Sequence, residues 1–172
     1  RHLTNGATWV DSPRAVAEAA DLVFTSLPTP ADVERVGTGE AGLIEGFRKG
    51  AAWFDLSTNA VNVVRALHAR LAEHGVDFLD APVSGGPSGA NSGRLAIWVG
   101  GDKAAFDKYQ KVLGAMGDAA RYIGPIGAGT IAKLVHNAAG AAVSTVLAEV
   151  FTMGVKAGVE PLPLWEAIRQ GA

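Results

Sequence analysis

Cysteine is absent from the 172-residue sequence, which excludes disulfides and thiolate metal sites. An excess of charge of one sign is also absent: the formal net charge is −2, so we expect no nucleic-acid partner. Charged residues make up 19% of the chain and hydrophobic residues 48%, a composition typical of a globular protein. The four histidines show no metal-ligand spacing, and we predict no metal site. They are His2, His68, His74 and His136.

The sequence shows no signal peptide and no long uninterrupted apolar run. Its longest apolar stretch, 134–155, contains His136, Asn137 and Glu149. Polar residues within such a stretch favour a buried helix over a membrane span. We therefore expect no membrane partner.

Short apolar runs alternate with helical segments over the first 123 residues. The predicted strands are 7–10, 22–26, 51–56, 76–80, 94–99 and 120–123, and the predicted helices are 13–20, 31–36, 42–49, 61–74 and 102–116. This alternation on short loops predicts an α/β fold with a mostly parallel sheet and helices on both faces. After Gly124 only helix is predicted, over about 130–157 and again over 162–170. We therefore predict one domain over 1–123 and the start of a helical domain over 124–172.

Polar or glycine-rich loops follow three of the predicted strands, at the edge where parallel sheets bind ligands. The first two loops are Leu27-Pro28-Thr29 and Ser57-Thr58-Asn59. Helix capping explains the hydroxyls of the second loop completely, and it is the favoured interpretation. The third loop contains Ser84-Gly85-Gly86, where two glycines let backbone N–H groups approach an anion. A glycine-rich crossover explains this loop equally well.

A glycine-rich turn at 124–129 leads into an apolar helix that carries Lys133. Asn137 lies four residues later and therefore on the same helix face. An unpaired buried charge is unfavourable, so Lys133 either extends to solvent or has a chemical function. A lysine desolvated between two domains suits proton transfer near neutral pH. Together with an anion loop and a sheet edge able to hold a flat cofactor, it fits hydride transfer between a nicotinamide and a hydroxy acid.

The same turn also matches the dinucleotide-binding fingerprint, as Gly127-x-Gly129-x-x-Ala132. That fingerprint requires a second strand after the helix. Here another helix follows instead, and Glu149, which lies near the spacing of the ribose-binding acid, falls within a helix. We therefore interpret these glycines as a turn between domains that delivers Lys133.

One continuous motif shows a family resemblance. Asp80-Ala81-Pro82-Val83-Ser84-Gly85-Gly86, followed by Gly93-Arg94-Leu95 and Val99-Gly100-Gly101, closely resembles the β-hydroxyacid dehydrogenase family, and within it the 3-hydroxyisobutyrate and tartronate semialdehyde branches. The likeness extends to 22–28, 55–58 and 127–137, so it covers most of the chain.

The resemblance implies roles for the matching positions and a nicotinamide cofactor, NAD or NADP. Lys133 matches the family's catalytic lysine, Asn137 its substrate-orienting residue, Ser84, Gly85 and Gly86 its carboxylate-binding loop, and Leu27, Pro28 and Thr58 its cofactor contacts.

The resemblance also implies a Rossmann-like, doubly wound domain followed by the start of an all-α domain, with 130–157 as the interdomain helix. It implies an NAD(P)-dependent oxidoreductase acting on a small 3-hydroxy acid or its semialdehyde, cytoplasmic and homo-oligomeric at full length. Family members begin with a strand, Gly-x-Gly-x-x-Gly and a helix, and they continue through further helices. We therefore expect this chain to be an internal fragment that lacks the pyrophosphate loop and has no activity alone.

The substrate stays open between two branches. The helix sequence Lys133-Leu134-Val135-His136-Asn137 looks more like 6-phosphogluconate dehydrogenase, whereas the loop at 81–86 looks like the hydroxyisobutyrate branch. Reduction of tartronate, glyoxylate or succinic semialdehyde is an alternative, as are an imine substrate and a non-catalytic dinucleotide-binding module. Imine-reducing relatives generally lack the lysine, and non-catalytic relatives have usually lost it, so Lys133 argues against both.

Overall fold

The computed structural model describes residues 6–171, with the exception of the side chain of Ala119. The chain divides into two compact units, one up to Leu134 and one from Val135 onward. The predicted domain boundary near residue 124 stays a prediction.

The first unit contains six strands and five complete helices among its described residues. The helices are α1 (Pro13–Ala19), α2 (Pro30–Thr38), α3 (Val61–Glu73), α4 (Gly86–Ser92) and α5 (Lys103–Leu113), with a 3₁₀ turn at Leu43–Glu45; the strands are β1 (Leu22–Thr25), β2 (Ala52–Asp55), β3 (Asp77–Asp80), β4 (Val83–Ser84), β5 (Ala96–Gly100) and β6 (Ala119–Gly124). A further helix, α6 (Ala128–Lys156), begins in this unit and continues into the second.

The strands form one mixed sheet in the order β1-β2-β3-β5, with β4 and β6 also paired to β5. Strands β1, β2 and β3 are parallel, and β6 is parallel to β5. Strand β5 runs antiparallel to β3 and β4, which follow one another along it. The predicted mostly parallel sheet is confirmed, and the reversal at β5 places Ser84 beyond the carboxyl end of β3.

Hydrophobic side chains cover both faces of this sheet. On one face Trp53 and Phe78 are register partners with ring centroids 4.7 Å apart, and they pack with Val64 and Leu67 of α3. On the other face Phe54 and Leu79 lie in a cluster that also contains Phe106 and Leu113 of α5. Since adjacent strand residues point to opposite faces, the continuous apolar runs of the sequence are explained by burial on both sides.

Two local predictions need correction. Residues 7–10 form no strand, because the run has no buried face and Trp9 is 75% exposed. The predicted helix at 42–49 is reduced to the 3₁₀ turn, where Gly46 packs directly on the backbone of α1: a Cβ there would lie 2.2 Å from the carbonyl oxygen of Arg14. The segment after Ser84, to which no element was assigned from the sequence, forms α4 despite its glycines.

The second unit consists of the remainder of α6 and of α7 (Pro161–Gly171). The two helices pack through the rings of Phe151 and Trp165, whose centroids are 6.5 Å apart. Several apolar side chains of this unit are exposed, including Val143, Val146 and Met153. By length and composition alone, α6 also meets the criteria for a membrane-spanning helix, with a mean hydropathy of 1.5 over its most apolar window. The absence of a membrane partner stays a prediction.

A substitution at Gly37 in α2 tests how tightly this helix packs on the sheet. A Cβ at this position would lie 2.5 Å from Cη2 of Trp53, a fully buried ring. Alanine is the better helix former, but this contact requires the ring to move, and overpacking of this kind destabilises by about 1–3 kcal/mol. We expect Gly37→Ala to lower the free energy of unfolding by that amount, measured by urea denaturation. Gly140→Ala is the matched control.

Gly140 is also helical, and none of the described atoms lies within 4 Å of the position of its added Cβ. The control should therefore be neutral or should stabilise the chain by up to about 1 kcal/mol through helix propensity. If the two substitutions changed the free energy of unfolding equally, the ring of Trp53 would have room for a methyl group on α2, and the prediction would be wrong.

Candidate functional site

Four register partners form a row across the ends of four strands. They are Thr25 of β1, Asp55 of β2, Asp80 of β3 and Gly100 of β5. Both carboxylates are 1% exposed. A buried carboxylate is unfavourable unless hydrogen-bond donors surround it, so the partners of each aspartate determine what this edge of the sheet holds.

The Asp55 carboxylate organises a buried hydrogen-bond network. Its Oδ1 accepts from the hydroxyl of Thr25 at 2.9 Å and from the backbone N–H of Ser57 at 3.2 Å. Its Oδ2 accepts from Nδ2 of Asn59 at 2.8 Å. Nε1 of Trp53 donates to the Thr25 hydroxyl at 2.8 Å, which connects the network to the core. The network therefore fixes the loops that follow β1 and β2.

Ser57 joins these two loops directly. Its hydroxyl accepts a hydrogen bond from the backbone N–H of Leu27 at 2.9 Å. The capping interpretation of Ser57-Thr58-Asn59 is wrong: the N-cap of α3 is Ala60, with no side-chain capping bond. Ser57 and Asn59 are needed inside the network, and the loop turns its one exposed residue, Thr58, outward. Three of the four polar side chains from 55 to 59 thus hold the edge, and the fourth faces solvent.

The predicted cofactor positions come together at this edge. Leu27 is half-buried, whereas Pro28 and Thr58 are exposed. The bond between Leu27 and Ser57 brings the two loops side by side, at the carboxyl ends of adjacent parallel strands. Their roles in binding stay predictions.

The Asp80 carboxylate binds the beginning of helix α6. Its Oδ1 accepts from the backbone N–H of Gly127 at 2.8 Å, and its Oδ2 accepts from that of Thr130 at 2.6 Å. Burial raises the pKa of the Asp80 carboxyl group, and this effect exceeds the lowering by the hydrogen bonds.

Two glycines allow this close approach. A Cβ on Gly100 would lie 2.4 Å from Oδ1 of Asp80. A Cβ on Gly129 would lie 2.3 Å from the carbonyl oxygen of Trp98. Real Cβ atoms do not tolerate such distances, so the first turn of α6 rests on the backbone of β5 only because both positions lack a side chain.

Lys133 lies on α6 one turn after Thr130. Its Nζ is 6.0 Å from the centroid of the Trp98 ring, and the side chain is half-buried. An ammonium group over an indole face is attracted by the ring. The backbone N–H of Trp98 donates to Pro82, two residues before Ser84, at 3.1 Å. Trp98 therefore connects Lys133 to the segment that leads into the predicted anion loop.

The Ser84-Gly85-Gly86 segment forms a sharp turn between β4 and α4. Gly85 has φ 129° and Gly86 has φ 58°, conformations that favour glycine. Both glycines are exposed, Ser84 is half-buried, and no side chain caps the beginning of α4. The binding of a carboxylate at this turn stays a prediction.

Asn137 belongs to the second unit, and its pairing with Lys133 stays a prediction. Within residues 6–171 no group of three or more His, Asp or Glu side chains is arranged to hold a metal ion, and His2 lies outside the described residues. The roles of Asp55, Asp80 and Trp98 were not predicted from the sequence. The sequence did contain a signal for the two aspartates. Each ends an apolar strand, and a carboxylate buried there needs hydrogen-bond donors.

The chain matches known proteins over nearly its whole length. Residues 1–124 match a family model described as the NAD binding domain of 6-phosphogluconate dehydrogenase. The chain is 37% identical over 166 residues to 2-(hydroxymethyl)glutarate dehydrogenase of Eubacterium barkeri, covering 96% of this chain and 55% of that protein. It is 36% identical over 159 residues to the mitochondrial 3-hydroxyisobutyrate dehydrogenase of Bos taurus, covering 92% and 47%.

A solved structure agrees with these relatives. The 3-hydroxyisobutyrate dehydrogenase of Mycobacterium tuberculosis, determined with L-serine, superposes with a TM-score of 0.84 at 38% identity, covering 93% of this chain and 53% of that one. The chain thus spans about half the length of these relatives.

The link between the two loops can be tested at Ser57. Ser57→Ala removes the acceptor for the Leu27 N–H, and an unsatisfied buried donor destabilises by about 1–3 kcal/mol. We expect a loss in that range in the free energy of unfolding, measured by urea denaturation. The adjacent, exposed Thr58→Ala should change it by less than about 0.5 kcal/mol. A neutral Ser57→Ala would show that the loops stay joined without this bond.

The buried Asp80 carboxyl also gives a pH dependence. Because its pKa is raised from the usual 3.8, the folded chain holds this proton more tightly than the unfolded chain. Its contribution to stability is therefore complete below the unfolded pKa and is lost as pH rises through the folded pKa. We expect the stability of the wild type relative to Asp80→Asn to decrease as the pH rises from below 3.8 through the raised pKa of the folded chain, measured by urea denaturation. A relative stability that increases with pH would contradict the raised pKa.

Proposed function

Because the chain belongs to the family of the NAD binding domain of 6-phosphogluconate dehydrogenase, we propose that the protein is an NAD(P)-dependent oxidoreductase of a small 3-hydroxy acid or its semialdehyde. The observation that carries this proposal is the position of Lys133, half-buried over the Trp98 ring on a helix anchored to the binding edge of the sheet. The relatives at 36–37% identity are named as dehydrogenases of hydroxy acids, which supports the same reaction.

The edge formed by Leu27, Pro28 and Thr58 suits a dinucleotide. It offers an exposed ring, an exposed hydroxyl and a half-buried side chain on two loops that a buried network holds rigid. Rigid loops at the carboxyl ends of parallel strands are where α/β sheets bind nucleotides. In the proposal these residues orient the nicotinamide end so that one ring face meets the substrate.

Lys133 is the proposed acid/base group. When the hydroxy acid is oxidised, the substrate C–H bond breaks, and the bound nicotinamide supplies the acceptor for the hydride. The amine of Lys133 takes the hydroxyl proton as the carbonyl forms, and in reduction the ammonium returns it. Asn137, one helical turn later in sequence, is proposed to orient the substrate oxygen. In its ammonium form the lysine is attracted to the face of the Trp98 ring, which favours this position of the side chain.

The turn at Ser84-Gly85-Gly86 is the proposed carboxylate site. Gly85 and Gly86 are exposed and carry no side chain that would block the approach of a carboxylate to the backbone, and the Ser84 hydroxyl offers a further donor. The substrate class is therefore a hydroxy acid and not a simple alcohol. Two relatives are named for 3-hydroxyisobutyrate and 2-(hydroxymethyl)glutarate, compounds that each carry a carboxylate, and these names support the substrate class.

The proposal also covers the location, the oligomeric state and the partners of the enzyme. We expect a cytoplasmic homo-oligomer without nucleic-acid or membrane partners. The exposed apolar residues of the second unit, such as Val143 and Val146, support burial against another subunit. Size-exclusion chromatography with light scattering on the intact protein tests the oligomer.

Hydride transfer tests the reaction directly. The intact protein is offered 3-hydroxyisobutyrate, 2-(hydroxymethyl)glutarate, glycerate, 4-hydroxybutyrate, L-serine and 6-phosphogluconate, each with NAD and with NADP, and the nicotinamide absorbance is followed. Turnover of at least one of these acids is expected. Activity only on imines, or dinucleotide binding without turnover of any substrate, would contradict the proposal.

Lys133→Ala tests the acid/base assignment. We expect kcat on the best substrate to fall by about 10²-fold or more, the scale of general acid/base catalysis, while dinucleotide binding stays within about twofold. Lys111→Ala is the matched control, since Lys111 is an exposed lysine of α5. Equal rates in Lys133→Ala and the wild type would remove Lys133 from the mechanism.

A further inference from the structure

We propose that Asp80 is a positioning residue for Lys133: its buried carboxylate holds the first turn of α6 against β5 and thereby fixes where the lysine amine lies. This inference rests on the proposed function and adds to it a residue outside the predicted site. Asp80 touches neither cofactor nor substrate in this proposal. It acts through the backbone of the helix.

The geometry supports a direct mechanical connection. Thr130, whose N–H donates to Asp80 at 2.6 Å, is 1% exposed and lies three residues before Lys133. Residues three apart are neighbours on one helix face. A shift of the Thr130 backbone away from β3 therefore moves the base of the Lys133 side chain by a similar distance. The Lys133 amine would then leave its place over the Trp98 ring.

The residues just before the helix provide no side-chain cap, although the Pro125 carbonyl accepts from the N–H of Ala128. The residues before α6 are Gly124, Pro125, Ile126 and Gly127, and none has a side chain that caps a helix. The first N–H groups of a helix need acceptors. Asp80 supplies two of them from 47 and 50 residues earlier in the chain. The anchor thus connects the end of a strand to the turn that carries the lysine.

Asp55 provides a matched comparison. It is the register partner of Asp80, is equally buried, and also accepts hydrogen bonds through both oxygens. Its donors, however, are Thr25 at the end of β1 and Ser57 and Asn59 in the loop that carries a proposed cofactor position. The same change from carboxylate to amide should therefore have different effects at the two positions. Asp80→Asn should slow proton transfer by Lys133, whereas Asp55→Asn should weaken dinucleotide binding.

The test uses steady-state kinetics and dinucleotide binding by the intact protein. For Asp80→Asn we expect kcat to fall by about 10²-fold, the effect of misplacing a reacting group by about 1 Å, with the dinucleotide Kd within about twofold of wild type. Asp80→Ala leaves no side-chain acceptor for the helix, so its kcat should fall further than that of Asp80→Asn. Asp55→Asn should instead weaken dinucleotide binding more than it lowers kcat. Thermal melting establishes that each variant is folded at the assay temperature, and if Asp80→Ala is not, Asp80→Asn carries the comparison.

A double variant separates positioning from general damage. If Asp80 acts through Lys133, adding Asp80→Asn to Lys133→Ala should lower kcat no further, because the group being positioned is already gone. Additive losses, or a Kd increase at Asp80 as large as at Asp55, would overturn the proposal. Full activity of Lys133→Ala would overturn both this inference and the acid/base assignment.

Hydrogen exchange gives a readout that does not need activity. In Asp80→Asn the amides of Gly127 and Thr130 should exchange at least about tenfold faster, while the amide of Leu27, held by Ser57, should be unchanged. Unchanged exchange at Gly127 and Thr130 would overturn the anchor. If the wild type transfers no hydride to any substrate, the proposed function fails, and the exchange result alone decides whether Asp80 holds the helix.

Discussion

The structure depends on the need of two buried carboxylates for hydrogen-bond donors. Asp55 and Asp80 end neighbouring strands, and neither reaches water. Each removes from solvent a charge that only well-placed N–H and O–H groups stabilise. Asp55 takes its donors from the end of β1 and from the loop after β2, and Asp80 takes them from the beginning of α6. The loop after β1 joins the first network through the bond from the Leu27 N–H to the Ser57 hydroxyl. These hydrogen bonds hold the two loops and the beginning of the helix at the edge of the sheet.

This division separates two tasks along one edge of the sheet. The Asp55 network leaves Pro28 and Thr58 at the surface, where a flat ligand is able to lie. The Asp80 anchor brings Lys133 over Trp98, beside the strand that leads to Ser84. The hydrogen bonds to the two carboxylates do not use the side chains of Lys133 and Thr58. These two side chains therefore remain available for the roles proposed for them.

The sequence predicted the sheet and its helices well because apolar runs on short loops admit few arrangements. It failed where long-range contacts decide. Ser57 and Asn59 look like a helix cap, and only the position of Asp55 shows that they turn inward to a buried acceptor. The predicted strand at 7–10 lacked a buried face, which periodicity over four residues does not reveal. The anchor of α6 joins residues 47 and 50 positions apart, a distance at which no local pattern gives a signal.

The glycines at 127 and 129 show why a motif alone is ambiguous. Their spacing matches a dinucleotide fingerprint, in which glycine allows the backbone to approach a pyrophosphate. Here the same freedom serves a different anion. Gly127 adopts φ 89° and donates to Asp80, while Gly129 lies against the backbone of β5 where a Cβ would be 2.3 Å from a carbonyl oxygen. A helix N-terminus attracts negative charge whether it belongs to a ligand or to the protein. In this fold the protein's own carboxylate takes that place and fixes the helix, while the proposed ligand sites lie on the loops of the neighbouring strands.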